Sequence, residues 1–137
     1  MKFVFVSLFS LSVFAAAAQA IPEGTTVPMI CKVQIDAKQH KQGAPAPFEV
    51  AEDVKVDGKV VIPAGAKVHA VVTKSVNSGG PHKGEGDLRV DFYDVMAMDG
   101  STVKLTDCFI FTNGANNLNK HLPMFAAGTR KNCRTAK

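Results

Sequence analysis

Hydrophobic and polar residues alternate along most of this chain with a period of two, and that alternation predicts strands. Val27, Met29, Cys31, Val33 and Ile35 alternate with Pro28, Lys32, Gln34 and Asp36, the mark of a half-buried strand over residues 27–35. Ala66, Val68, Ala70 and Val72 set one face toward a core, leaving Lys67, His69, Val71 and Thr73 on the other. Leu88, Val90 and Phe92 alternate in the same way with Arg89, Asp91 and Tyr93. In the return segment, residues 102–112, the apolar phase is Val103, Leu105, Phe109 and Phe111, with Asp107 as its exception. Helical periodicity is confined to one short turn around residues 117–124.

Turn chemistry divides these runs. Asp57-Gly58 and Asp99-Gly100 each lie between apolar runs and supply the positive φ angles that hairpins require. Pro63 and Gly65 predict a further corner, with Pro63 at the second position of a type I turn. The pattern Ile-Pro-x-Gly-x-x-Val occurs both at residues 21–27 and at residues 62–68, and Ala127-Gly128-Thr129 echoes it before the last segment. Residues 51–53 interrupt the alternation between Val50 and Val54, as a bulge or a strand changing sheets would. Residues 37–47 are polar and proline-rich, and residues 77–87 hold four glycines around Pro81-His82-Lys83, so both read as loops. The prediction is an all-β chain, a single small β-barrel or β-sandwich of about six to seven mainly antiparallel strands.

The first 20 residues stand apart. One positive charge at Lys2, an apolar run over residues 3–18 and the small-x-small site Ala18-Gln19-Ala20 predict a cleaved secretory signal peptide. Its apolar run is short for a membrane span, so no transmembrane span is expected after cleavage. Residues 21–137 then form one β-domain, a size that supports one modest core. Of 16 basic residues only Lys2 would be lost, leaving 15 against 12 acidic ones and a mildly basic mature chain. Beyond Asp107 no acid remains, and Lys120, Arg130, Lys131, Arg134 and Lys137 make residues 113–137 a basic tail. That tail reads as solvated and partly mobile, or as a contact for an anionic partner.

The order Gly-Thr-x-Val, loop, Val54 to Asp57-Gly58, Val61-Ile62-Pro63-Ala64-Gly65, glycine loop, Leu88-x-Val-x-Phe, then Asp99-Gly100-x-x-Val-x-Leu105 resembles the periplasmic β-barrel domain of TrbI-like components of type IV secretion channels. It covers residues 21–105 and is also similar to small exported bacterial β-domains on the same framework. The resemblance implies a β-barrel fold, an envelope compartment and a link to a secretion or conjugation apparatus.

Reactive constellations are sparse. His40, His69, His82 and His121 lack the close His/Cys spacing of a zinc site. The glycine loop lacks the phosphate-loop spacing, and no mature serine sits in a nucleophile elbow. Phenylalanines in core phase, one tyrosine and no tryptophan argue against a nucleic-acid partner. No cofactor is expected. The reading these features favour is an exported, periplasmic or secreted, non-enzymatic β-domain that binds a protein or cell-envelope component. Its candidate surface is Lys67, His69, Val71, His82, Lys83, Arg130, Lys131 and Arg134. The competing reading is a small exported hydrolase or metal-dependent enzyme with a site near His69, His82 and Asp91.

Three cysteines complete the picture. Cys31 is in phase with its apolar neighbours and reads as a buried thiol. Cys108, out of phase with Val103, Leu105, Phe109 and Phe111, should point away from the core, where Cys133 on the returning tail could reach it; Cys108–Cys133 is the expected disulfide. Cys31–Cys133 stays open as the alternative, because each follows a Gly-Thr corner and the first and last strands could pair.

Overall fold

A computed structural model describes residues 20–77, 86–113 and 122–137. It is all-β. The strands are β1 (Thr26–Cys31), β2 (Ile35–Asp36), β3 (Phe48–Val50), β4 (Val54–Val56), β5 (Lys59–Ile62), β6 (Val68–Val76), β7 (Asp87–Met96), β8 (Thr102–Asn113), β9 (Met124–Phe125) and β10 (Arg130–Arg134). Two three-stranded antiparallel sheets, β10-β1-β3 and β6-β7-β8, carry the fold, and β4-β5 and β2-β9 add two small ladders. Those four short segments account for the excess over the expected strand number. No helix among the described residues is long and apolar enough to cross a membrane.

The edges of the two large sheets meet at two seams. At the first, isolated bridges join Glu49 to Lys67 and Pro45 to Val71; at the second, one bridge joins Leu105 to Thr135. The six strands of the two sheets thus surround one core, to which Met29, Val50, Val72, Val90, Leu105 and Cys133 each contribute from a different strand. Among the described residues no continuously hydrogen-bonded barrel closes. Phe48 on β3 meets Phe92 on β7 edge to face, with ring centroids 4.8 Å apart, which fixes the packing between sheets.

One corner is built four times. In the turns Pro22–Thr25, Lys41–Ala44, Pro63–Ala66 and Ala126–Thr129, the fourth N–H donates to the first carbonyl at 3.0–3.3 Å, and the third residue is a glycine with φ between 81° and 91°. Each glycine N–H also donates to the carbonyl of a buried residue elsewhere: Thr135, Val72, Val50 and Cys31 respectively. The N–H of that buried residue returns a bond to the carbonyl after the glycine, so each corner is a turn fused to a glycine bulge. Pro63 therefore occupies the first position of its turn, not the second, and Gly65 the left-handed third. The echo at Gly128 is a true third copy. The fourth, at Gly43, lies inside the segment expected to be plain loop.

Other expectations hold or shift for identifiable reasons. Asp57 and Gly58 take φ of 51° and 77° in the β4–β5 hairpin, and the 51–53 break marks a change of sheet. The strand expected over residues 27–35 stops at Cys31, where the Gly128 corner takes both backbone groups, and Val33 is left 52% exposed. Residues 122–137 are no free tail. Residues Thr26 to Ile30 of β1 pair with β10, and the buried Thr135 hydroxyl donates to the Pro22 carbonyl at 2.7 Å while accepting from the Thr25 N–H at 3.0 Å. The glycine loop and most of the turn near residue 117 lie outside the described residues.

Cys108 and Cys133 form the expected disulfide, with Cα atoms 5.8 Å apart, and Cys31 is a buried free thiol. Cys108 has the inward phase, not the outward one expected of it. Opposite Tyr93, β8 carries extra residues: Phe92 pairs with Cys108 and Asp94 with Lys104. Both strands change phase across this irregularity: β7 buries Phe92 and Val95, three residues apart, and β8 exposes Thr106 and Asp107 in succession, so Cys108 points inward and Phe109 and Phe111 point out. The first and last strands do pair, but Val27, not Cys31, lies opposite Cys133.

A Cβ at Gly65 or Gly128 would meet no atom within 4 Å, so substitution there probes only the left-handed backbone. Gly65→Ala and Gly128→Ala should each lower stability by about 1–2 kcal/mol in urea unfolding, with unchanged slope. Equal stability to wild type would remove the corners from the folding argument. Reducing the disulfide should cost about 3 kcal/mol. Non-reducing tryptic mapping should recover the peptide that begins after Lys104 joined to the short one that begins after Lys131, with the peptide ending at Lys32 free.

Candidate functional site

The outward face of β6-β7-β8 is laid out in four rungs. Strand pairing aligns Val76–Asp87–Asn113, then Lys74–Arg89–Phe111, then Val71–Asp91–Phe109, then His69–Asp94–Lys104. Because side chains on one strand alternate between faces, the buried Leu88, Val90 and Phe92 force Arg89 and Asp91 outward. The register does the rest. Phe109, Phe111 and Tyr93 stand 45–49% exposed around Arg89.

Arg89 is held from two sides. Its Nε and Nη2 donate to the two Asp91 carboxylate oxygens at 2.9 and 3.0 Å, and its guanidinium carbon lies 3.9 Å from the Phe109 ring centroid. The Thr73 hydroxyl donates to the same Asp91 carboxylate. The Arg89 bond, with help from Thr73 and against partial burial, holds the Asp91 carboxyl below its ordinary range. Lys74 pairs with Asp87 at 2.7 Å, and His69 Nδ1 lies 3.2 Å from Asp94, with its ring 5.2 Å from that of Tyr93. The rungs hold three acids and, apart from His69, three bases, so the face is close to neutral.

The sequence-predicted residues fall into separate places. Lys67, His69 and Val71 belong to this face or its end. His82 and Lys83 lie outside the described residues. Arg130, Lys131 and Arg134 are on β10 in the other sheet, where Arg130 pairs with Glu52 at 3.0 Å between well-exposed side chains, a contact of little energetic weight. His69 contacts Asp94 rather than Asp91, whose oxygens serve Arg89 and Thr73. Among the described residues no three His, Cys, Asp or Glu side chains gather as a metal site would require. A groove of about 620 Å³ that shares Lys104 with the fourth rung is lined also by Ile21, Val60, Val61, Met98 and Asp99, whose carboxyl is held low by the Ser101 hydroxyl and N–H.

Sequence reasoning missed Phe109, Phe111 and Arg89. Phase assigned both rings to the core, which was also the ground for setting nucleic acid aside, and at these two positions that ground is removed. The signal that could have found them was Cys108: a cysteine destined for an internal bridge demands the inward phase. No family model, no curated protein and no solved structure matches the chain.

The depressed Asp91 carboxyl has a pH consequence. Its folded value lies below its unfolded one, so its contribution is complete above about pH 4 and is lost as pH falls through the folded value. Asp91→Asn should flatten the acid limb of a stability–pH curve read by urea midpoints between about pH 2 and 6. Asp99 acts with the same sign, so the limb should shrink without vanishing. An unchanged limb would mean that Arg89 does not hold Asp91 in solution.

Proposed function

We propose that this chain is an exported, non-enzymatic binding domain that engages a cell-envelope component through the outward face of β6-β7-β8. The observation that carries the reading is the exposed aromatic group Tyr93, Phe109 and Phe111, with Arg89 stacked on Phe109 and held there by Asp91. Exposed clusters of this kind mark contact sites, whereas scattered apolar residues do not. The side chains of the face are committed to holding one another, which suits display and not proton transfer. Export rests on the leader expected over residues 1–20, and the disulfide fits an oxidising compartment. A role beside a secretion or conjugation apparatus rests on the resemblance over residues 21–105 alone.

Co-sedimentation with isolated envelope material tests the face. Wild-type protein should pellet, Phe109→Ser/Phe111→Ser should stay in the supernatant, and Lys131→Glu/Arg134→Glu should behave as wild type. Loss of pelleting only in the β10 variant would move the site to the basic strand. Amino-terminal sequencing of the exported protein should begin Ile21-Pro22, and a chain beginning at Met1 would overturn processing of the leader.

A further inference from the structure

We infer that the ligand of this face is a neutral polysaccharide, its sugar rings stacking on Phe111, Tyr93 and the free side of Phe109; the inference rests on the binding reading above and narrows it. Charge is the first argument. Asp87 and Asp91 pair with Lys74 and Arg89, Asp94 lies against His69, and Lys104 is the one further cation of the four rungs, so the face has no row of free cations to track a phosphate backbone. Nucleic acid and acidic polymers gain their affinity from such rows. A neutral chain needs none.

Size is the second argument. Three strands at about 4.8 Å spacing and eight residues at about 3.3 Å rise give a face of roughly 14 by 26 Å, about 370 Å². A stable protein complex, including a dimer of this chain, ordinarily buries about 800 Å² on each partner. The four rungs alone do not supply that area, and they are long enough for a short run of sugar rings.

Chemistry is the third. A pyranose offers flat, apolar C–H patches and a rim of hydroxyls. The C–H groups carry partial positive charge and suit the electron-rich face of an aromatic ring, while the hydroxyls need donors and acceptors beside it. This face supplies both within adjacent rungs: rings at 109 and 111, two residues apart on β8, and carboxylates and an arginine on β7. Arg89 stacked on Phe109 and tied to Asp91 holds that ring in place before any ligand arrives, which lowers the ordering cost of binding. The hydroxyl partners of such a ligand are the N–H groups of Arg89 not used by Asp91 and the Asp94 carboxylate.

The test is a titration of isotope-labelled mature protein with soluble β-1,4-linked N-acetylglucosamine oligomers, read by NMR shifts and calorimetry. Shifts confined to Tyr93, Arg89, Phe109 and Phe111, with about tenfold weaker binding in Phe111→Ser and little change on adding salt, are the expected result. Phe111 is exposed, and Val33→Ser, exposed away from the rungs, serves as the matched folding control. Shifts at the Val60–Met98 groove instead would overturn the assignment. So would binding of a thymidine oligonucleotide with steep salt dependence, or a concentration-dependent doubling of mass abolished by Phe111→Ser. If the oligomers and a neutral glucan both fail while envelope co-sedimentation still depends on Phe109 and Phe111, the glycan inference falls and the binding face stands. If neither occurs, both fall.

Discussion

Four buried residues, Cys31, Val50, Val72 and Thr135, each have both backbone polar groups satisfied by a glycine corner contributed from a distant part of the chain. A buried N–H or carbonyl left without a partner costs as much as the bond it lacks, so these pairings are conditions of the fold. They also set its topology. The Gly43 corner docks on β6 ahead of β3 and the Gly65 corner docks on β3 ahead of β6, so these two link the large sheets, whereas the Gly24 and Gly128 corners close the two ends of the β1–β10 pair. Only a residue tolerant of positive φ can occupy the third position of such a turn, which makes the glycine a requirement of geometry independent of packing.

The corners leave one weak place. The first seam between the sheets has two isolated bridges reinforced by the Gly43 and Gly65 corners; the second has the single Leu105–Thr135 bridge and the Ala136 N–H bond to the Lys104 carbonyl. The disulfide lies at this second seam, joining β8 to β10 where backbone pairing thins out. A covalent tie contributes most where it closes a loop that few other contacts close. The extra residues in β8 serve the same seam, because without the reversal of phase Cys108 would face solvent and Cys133, buried on β10, could not reach it.

Much of this was legible from alternation and turn residues alone. β6 and β7 have the faces their alternation predicts, and both Asp-Gly hairpins fall where placed, because local chemistry and tertiary packing agree there. The Gly43 corner was not legible, since no proline announces it and its partner, Val72, is 29 residues away in sequence. The end of β1 at Cys31 depends on a corner near residue 128, which nothing at Val33 reveals. Strand length and phase are properties of the partner as much as of the strand.

The outward face of β6-β7-β8 shows the same dependence. Phe109 and Phe111 read as core residues because an unbroken strand would put them in phase with Leu105, and only the irregularity opposite Tyr93 turns them outward. Their exposure therefore follows from the constraint that places Cys108 inside: β8 cannot bury the cysteine and the adjacent rings together. The disulfide that ties the second seam and the aromatic rows on the outer face are consequences of one local change in register. Any shift that restored regular pairing along β8 would undo both, turning the rings toward the core and breaking the approach of Cys108 to Cys133. Exposed aromatics at a position so strongly coupled to closure of the fold are built into the architecture, and Arg89 and Asp91 on the neighbouring strand hold them in a fixed arrangement.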